Sequence, residues 1–346
     1  MSFPITINTS ALTFPFFLIP GQSDFQDGSL SPTIQLPAGT YSFQQASGSF
    51  ADVQFEVTAT GTLDYDPKYD TFLSGRGTST LTVSGFAIAI DVTALSHGLL
   101  PMIAGSKDFL MPDTVHTLVL VPASFYGFQP GSGIVANFSF GVDLNGNVII
   151  DPKYAGFADG TGSNRLTIRG YVIEIDGREL SHGLLPVIPL LNNDFLPPTA
   201  VNALTLIPAE GYGFVSGSGI VANFSFGVDL NGNVIIDPKY AGFADGAGSN
   251  RLTIRGYVIE IDGRRLTHGL LPLIARPNND FLPQTAVNSL TLIPAESYGF
   301  QPGSGVVADM SFSVGLDGLV DYPTSCDGFL QGRGSNVLTE ILQHSQ

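Results

Sequence analysis

Three histidines stand in the same short motif, Ser/Thr-His-Gly-Leu-Leu-Pro, at His97, His182 and His268. Imidazole nitrogens suit zinc and other borderline cations, so three of them gathered on one axis would make a metal site. A fourth copy of the motif carries Phe14 in place of histidine. An apolar ring at that position fits a different role, in which each histidine packs or caps the turn before Gly98, Gly183 and Gly269. The three histidines are the metal candidates, and no cofactor is expected.

A second set of polar groups lies on glycine-rich turns. Asp159 and Asn164 bracket Gly-Thr-Gly-Ser, Asp245 and Asn250 bracket Gly-Ala-Gly-Ser, and Arg76 and Arg333 sit inside the aligned Gly-Arg-Gly turns. Carboxylate, amide and guanidinium groups on such turns can hydrogen-bond a polar ligand, and these six residues are the ligand-binding candidates. A phosphate-loop role is excluded, because no helix follows and no Gly-Lys-Ser/Thr is present.

Other constellations have structural readings. The segment DLNGNVIID at 143–151 and 229–237 resembles an acidic calcium loop, but the aligned TATGTLDYD at 58–66 lacks the leading carboxylates. A hairpin turn at Asn-Gly accounts for all three. Glu174 with Asp176, and Glu260 with Asp262, share strand faces, as paired catalytic carboxylates would. Ala89 and Thr6 replace the glutamates elsewhere, which favours a surface charge pair. Tyr41, Tyr126, Tyr212 and Tyr298 open Tyr-x-Phe pairs whose rings point to one face, expected to be core. Cys326 aligns with Tyr69, Tyr154 and Tyr240, so packing is expected of it, and one cysteine makes neither an intrachain disulfide nor a cysteine-based zinc site.

The elements behind these residues form four copies of one β-rich unit of about 86 residues. Segments 131–188 and 217–274 differ at four positions, Thr161/Ala247, Glu179/Arg265, Ser181/Thr267 and Val187/Leu273. GSFADVQFEV at 48–57 and GSGVVADMSF at 303–312 align with GSGIVANFSF at 131–140. Pro-Ala, Tyr-x-Phe, Gly-x-Gly and Leu-Thr recur in order in every copy. Alternation in Ile220–Asp229 marks a half-buried strand, and strand phase flips at Ser84-Gly85, Arg169-Gly170 and Arg255-Gly256. A two-residue hairpin turn or a bulge is expected there. The units are 3–85, 86–170, 171–256 and 257–342. The N-terminus enters, and the C-terminus leaves, at matching points of the unit. The expected fold is all-β, with four tandem β-meander units in a pseudo-fourfold closed ring or bundle. In it the N-terminal strand near Phe3–Asn8 pairs with the C-terminal strand near Asn336–Ile341, which removes two exposed edges.

Net charge is −16 with 14 Lys and Arg, so no basic cluster is available to neutralise nucleic acid or an anionic membrane. No apolar run is long enough for a membrane helix, and the N-terminus MSFPITINTS has no signal-peptide pattern, which makes the cytoplasm the default location. No Gly-x-Ser-x-Gly is present, and every unusual residue is repeated, whereas an enzyme needs one specialised site. The leading expectation is a non-catalytic, multivalent binding or scaffold protein, lectin-like, for a glycan or repetitive surface. The alternatives are a carrier of an apolar small molecule and a hydrolase with a single site.

Overall fold

The computed structural model describes residues 1–13, 16–19, 31–45, 50–101, 110–112, 114–130, 136–181, 184–187, 196, 200–216, 221–266, 270–272, 282, 287–302 and 310–340. Among them are strands and four short 3-10 turns, and the chain is all-β as expected. No helix among the described residues is long and apolar enough to cross a membrane. The chain divides into two compact bodies, Met1–Tyr171 and Val172–Gln346.

Each repeat opens with a strand that alternates buried and outward residues. Ile5 and Ile7 point inward on Ser2–Asn8, and the pairs Ile88/Ile90, Ile173/Ile175 and Ile259/Ile261 do so on Phe86–Asp91, Tyr171–Asp176 and Tyr257–Asp262. β-branched side chains favour this pleated, half-buried setting. The opening strand runs parallel to the closing strand of the same repeat. The pairs are Ile7↔Leu81, Ile90↔Leu166, Ile175↔Leu252 and Ile261↔Leu338.

This pairing corrects the expectation that the N-terminal strand pairs with the C-terminal one. Ser2–Asn8 lies between Thr33–Pro37 and Thr80–Val83, and Val337–Glu340 lies between Tyr257–Asp262 and Leu330–Gln331. Each strand pairs on both sides inside its own repeat, and neither is paired with the other. No strand pairing among the described residues closes a ring.

The phase flip also has a different cause from the one expected. Gly85, Gly170 and Gly256 have φ of 62, 64 and 67, in the left-handed region open to glycine. The strands they join do not form a hairpin, because Thr80–Val83 and Phe86–Asp91 belong to different sheets. The dipeptide hands the chain from one sheet to the next. A side chain at Gly85 would also meet the Leu120 carbonyl oxygen at 2.9 Å.

A larger sheet in each body combines two repeats. In the first body the strands Phe50–Val57 and Ala123–Pro130 meet at Ala51↔Ala123, and the Asp52 N–H donates to the Pro122 carbonyl at 2.9 Å. In the second body Ala222↔Ala295 and the bond from Asn223 N–H to the Pro294 carbonyl, 2.9 Å, repeat the arrangement. Pro122, Ala123, Pro294 and Ala295 are buried, while Pro37 and Ala38 of the first repeat are exposed. The segments after each histidine motif join the same sheets: Leu99–Pro101, Leu184–Val187 and Leu270–Pro272 pair with Ala123–Pro130, Ala209–Ser216 and Ala295–Pro302.

The core is aromatic. The Tyr-x-Phe rings face inward and stack against the next strand, as Tyr126 does on Phe140 with centroids 5.4 Å apart and Phe128 on Phe138 at 5.5 Å. Each tyrosine hydroxyl donates to a nearby backbone carbonyl: Tyr41 to Pro37, Tyr126 to Val121, Tyr212 to Ile207 and Tyr298 to Ile293. Burial of a phenol is tolerated because its polar end is satisfied. Strand register corrects one alignment. Tyr41 opposes Phe55 as Tyr126 opposes Phe140, so Ala51 takes the place of Ala136, and the ungapped match of 48–57 to 131–140 is off by two residues.

Candidate functional site

The glycine-rich turns are fasteners of the fold. Thr78, Ser163, Ser249 and Ser335 donate their hydroxyls to the carbonyls of Gly75, Gly160, Gly246 and Gly332. The next carbonyls hold other strands in place, since Asn164, Asn250 and Asn336 accept the N–H of Ala89, Glu174 and Glu260. Gly160 has φ 124, and a Cβ there would lie 1.9 Å from the Arg165 carbonyl oxygen. Only glycine fits so close a backbone approach.

The six ligand-binding candidates sit on these turns, two to a repeat or one alone. Asp159 and Asp245 are exposed, and each accepts the following glycine N–H at 2.7 Å. Asp245 also pairs with Arg255 at 3.1 Å. Asn164 and Asn250 are exposed. Arg76 folds back over the Tyr65 ring, 4.7 Å from its centre, and pairs with Asp70 at 2.6 Å. Arg333 does the same over Tyr322, at 4.6 Å, with Asp327 at 2.6 Å. Both guanidiniums are committed within their own repeats. Of the metal candidates, His97 is buried, and His182 and His268 lie outside the described residues. The described residues hold no group of three or more potential ligands that could bind a metal ion.

The acidic segments resolve into turns and clamps. Asp143 Oδ1 accepts the N–H groups of Asn145 and Asn147, both at 2.8 Å, and Oδ2 accepts the Asn147 amide at 3.1 Å. Partial burial would raise this carboxyl, but the donors outweigh it and hold it below its ordinary value. Its oxygens are spent on the hairpin. Asp176 is bridged by Arg178 at 2.8 Å and by Arg251 from the closing strand at 2.6 Å, and Arg251 also reaches Glu174 at 3.4 Å. The Arg178 hydrogen bond, helped by Arg251, holds Asp176 well below the carboxylate range. Asp91 and Arg165 form the same cross-strand pair at 2.6 Å in the second repeat.

One polar cavity of about 270 Å³ opens on the first repeat. Its floor crosses three strands, Gly39–Gln45, Phe50–Val57 and Leu63–Asp64, on which Thr40, Glu56 and Asp64 lie in one row through the register pairs Thr40↔Glu56 and Glu56↔Asp64. Gln54 and the 3-10 turn Pro67–Tyr69 complete the wall. Asp66 caps that turn through the Lys68 N–H at 3.0 Å, and its other oxygen meets Lys68 Nζ at 3.1 Å. Those contacts lower Asp66 and raise Lys68 from their ordinary values. Glu56 has no ion-pair partner among the described residues. Arg76 stands at the margin, 3.6 Å from Asp64.

Sequence reasoning singled out Arg76 at this margin and missed Glu56, Asp64 and Lys68. The signal was divergence between copies. In the register of the second repeat the places of Glu56 and Asp64 fall to Gly141 and Ile149, and in the third to Gly227 and Ile235. The acidic pair belongs to the first repeat alone among those three. No family model, curated protein or solved structure matches the chain.

Proposed function

We propose that this is a non-catalytic binding protein whose first repeat takes a hydroxyl-rich ligand, a glycan end, in the cavity of Glu56, Asp64 and Lys68. The observation that carries this reading is the convergence of acceptors (Glu56, Asp64, Asp66) and donors (Gln54, Lys68) on one 270 Å³ space. A sugar hydroxyl both donates and accepts, and a wall of mixed polarity satisfies it in each direction. The volume falls below the roughly 300–1,000 Å³ of drug-sized sites, which suits a single sugar residue. The lining contains no histidine, cysteine or serine, so it offers no imidazole base and no serine or cysteine nucleophile.

This reading replaces four equal sites with a site on the first repeat, because the second and third units have Gly and Ile in the places of Glu56 and Asp64, and the fourth keeps Asp321 but has Ser313 in the place of Glu56. It is preferred to the apolar carrier because the aromatic interiors are filled by their own rings, such as Phe224 against Phe243 at 5.3 Å.

A glycan array followed by calorimetry on the hits tests the proposal. Binding is expected in the full chain and lost in the double variant Glu56→Gly with Asp64→Ile, which installs the second repeat's residues. Failure to bind across a broad array, or unchanged binding in that variant, overturns it. Release of sugar from a bound glycan overturns the non-catalytic part.

A further inference from the structure

The closing strand of the fourth repeat carries a carboxyl where the other repeats carry a hydrocarbon. Glu340 ends Val337–Glu340 and is 1% exposed, and the same place holds Val83, Ile168 and Ile254, all buried. Strand geometry compels this, because Leu338 faces the interior and a residue two positions on must face it too. Among the described residues neither carboxyl oxygen of Glu340 has a hydrogen-bond partner. Such a site disfavours the ionised form and retains the protonated one.

The neighbours reinforce this. On the adjacent opening strand, Asp262 pairs in register with Thr339, next to Glu340, and its negative charge opposes a second one. Arg264 is bound to Asp262 at 2.7 Å, and Arg265 acts on the same aspartate. Glu260, at the far end of that pairing, opposes Val337. On the other side Leu330 is the register partner of Glu340 and packs in a core with the buried Cys326 thiol. Gly263 leaves room for the group, since a Cβ there would come within 3.3 Å of Oε2. Burial, then Asp262, pushes Glu340 up to about 8. The fourth repeat also lacks the arginine that clamps this strand pair in the second and third repeats, with Val337 where Arg165 and Arg251 stand.

We propose that Glu340 makes the last strand of the fourth repeat a pH-operated latch, docked while its carboxyl is protonated and released when the carboxyl ionises. Release takes Leu338 out of the core and frees an edge of Tyr257–Asp262. The second and third repeats, with Ile168 and Ile254, have no such device.

Hydrogen exchange of the full chain, followed by mass spectrometry from pH 5 to 9 and corrected for intrinsic rates, tests the latch. Protection of residues 330–340 should fall by up to about tenfold per pH unit between about pH 5 and pH 8, the limit for one coupled proton. Protection of 157–168 should stay level. Glu340→Gln and Glu340→Ile should each flatten the profile of 330–340. A wild-type profile parallel to that of Glu340→Gln, or protection that rises with pH, overturns the proposal.

Discussion

The first and second repeats place the same three-strand row on their outer face and give it opposite chemistry. In the first it is Thr40, Glu56 and Asp64 around a polar cavity. In the second Gly141 and Ile149 stand in register, with Ile149 48% exposed and Phe125 40% exposed nearby. Beneath that row the two repeats are alike: a tyrosine hydroxyl on a backbone carbonyl, stacked rings, and an Asp-Pro-Lys-Tyr turn capped by its aspartate. The inward half of each strand sets the frame and tolerates little. The outward half is free to differ, and that is where binding capacity can arise.

The largest expected effect breaks the shared frame. Gly160→Ala forces a Cβ against the Arg165 carbonyl, whereas Gly162→Ala, at φ 80 with nothing within 4 Å, adds only backbone strain. Denaturant titration should show a loss of about 3–5 kcal/mol for the first and about 1 kcal/mol for the second. Equal losses would mean that the turn yields.

Next comes the contrast between closing strands. Glu340 sits at about 8 when folded and 4.5 ordinarily, so the folded state holds the extra proton between those values. Stability is therefore highest at low pH on this account and falls as pH rises to about 8, by about 1.4 kcal/mol per unit. Glu340→Ile should gain about 3 kcal/mol more at pH 7 than at pH 4, measured by urea unfolding at each pH.

Asp176 gives the opposite sign. Its folded value is depressed, so its contribution is present above the ordinary carboxylate value and is lost as pH falls from there through the depressed folded value. Arg251→Met should cost about 1–2 kcal/mol at pH 7, discounted because the arginine is 41% exposed, and the cost should fade in acid.

The smallest effect on stability sharpens the comparison most. Glu56→Gly with Asp64→Ile should shift unfolding by no more than about 1 kcal/mol, which is what glycine inside a strand costs by itself, if outward residues are independent of the frame. The reverse graft Gly141→Glu with Ile149→Asp should cost more, since a Cβ at Gly141 would meet the Ala123 and Ser124 carbonyl oxygens at 3.0 and 3.1 Å.

Much of this was legible in the residues. Alternation marked Phe224, Phe226 and Val228 as one inward face, Tyr-x-Phe as core, and Asn231-Gly232 as a tight turn, and the structure buries or turns each of them. The candidate site was barely legible. Glu56 and Asp64 lie on separate strands, at places that the second and third repeats fill with Gly and Ile. Glu340 carried no warning beyond standing where the other copies have Val83, Ile168 and Ile254.

The sequence by itself determined which side of each strand is buried, because a period of two and the size of the side chains settle that locally. It also determined where glycine must turn the chain. Only the tertiary structure decided which strands pair. Every strand edge offers the same N–H and C=O groups, so the choice of Thr80–Val83 as partner of Ser2–Asn8, against Val337–Glu340, is written in packing between distant residues. The same packing gathers Glu56, Asp64 and Lys68 into one cavity and leaves Glu340 buried without a hydrogen-bond partner among the described residues.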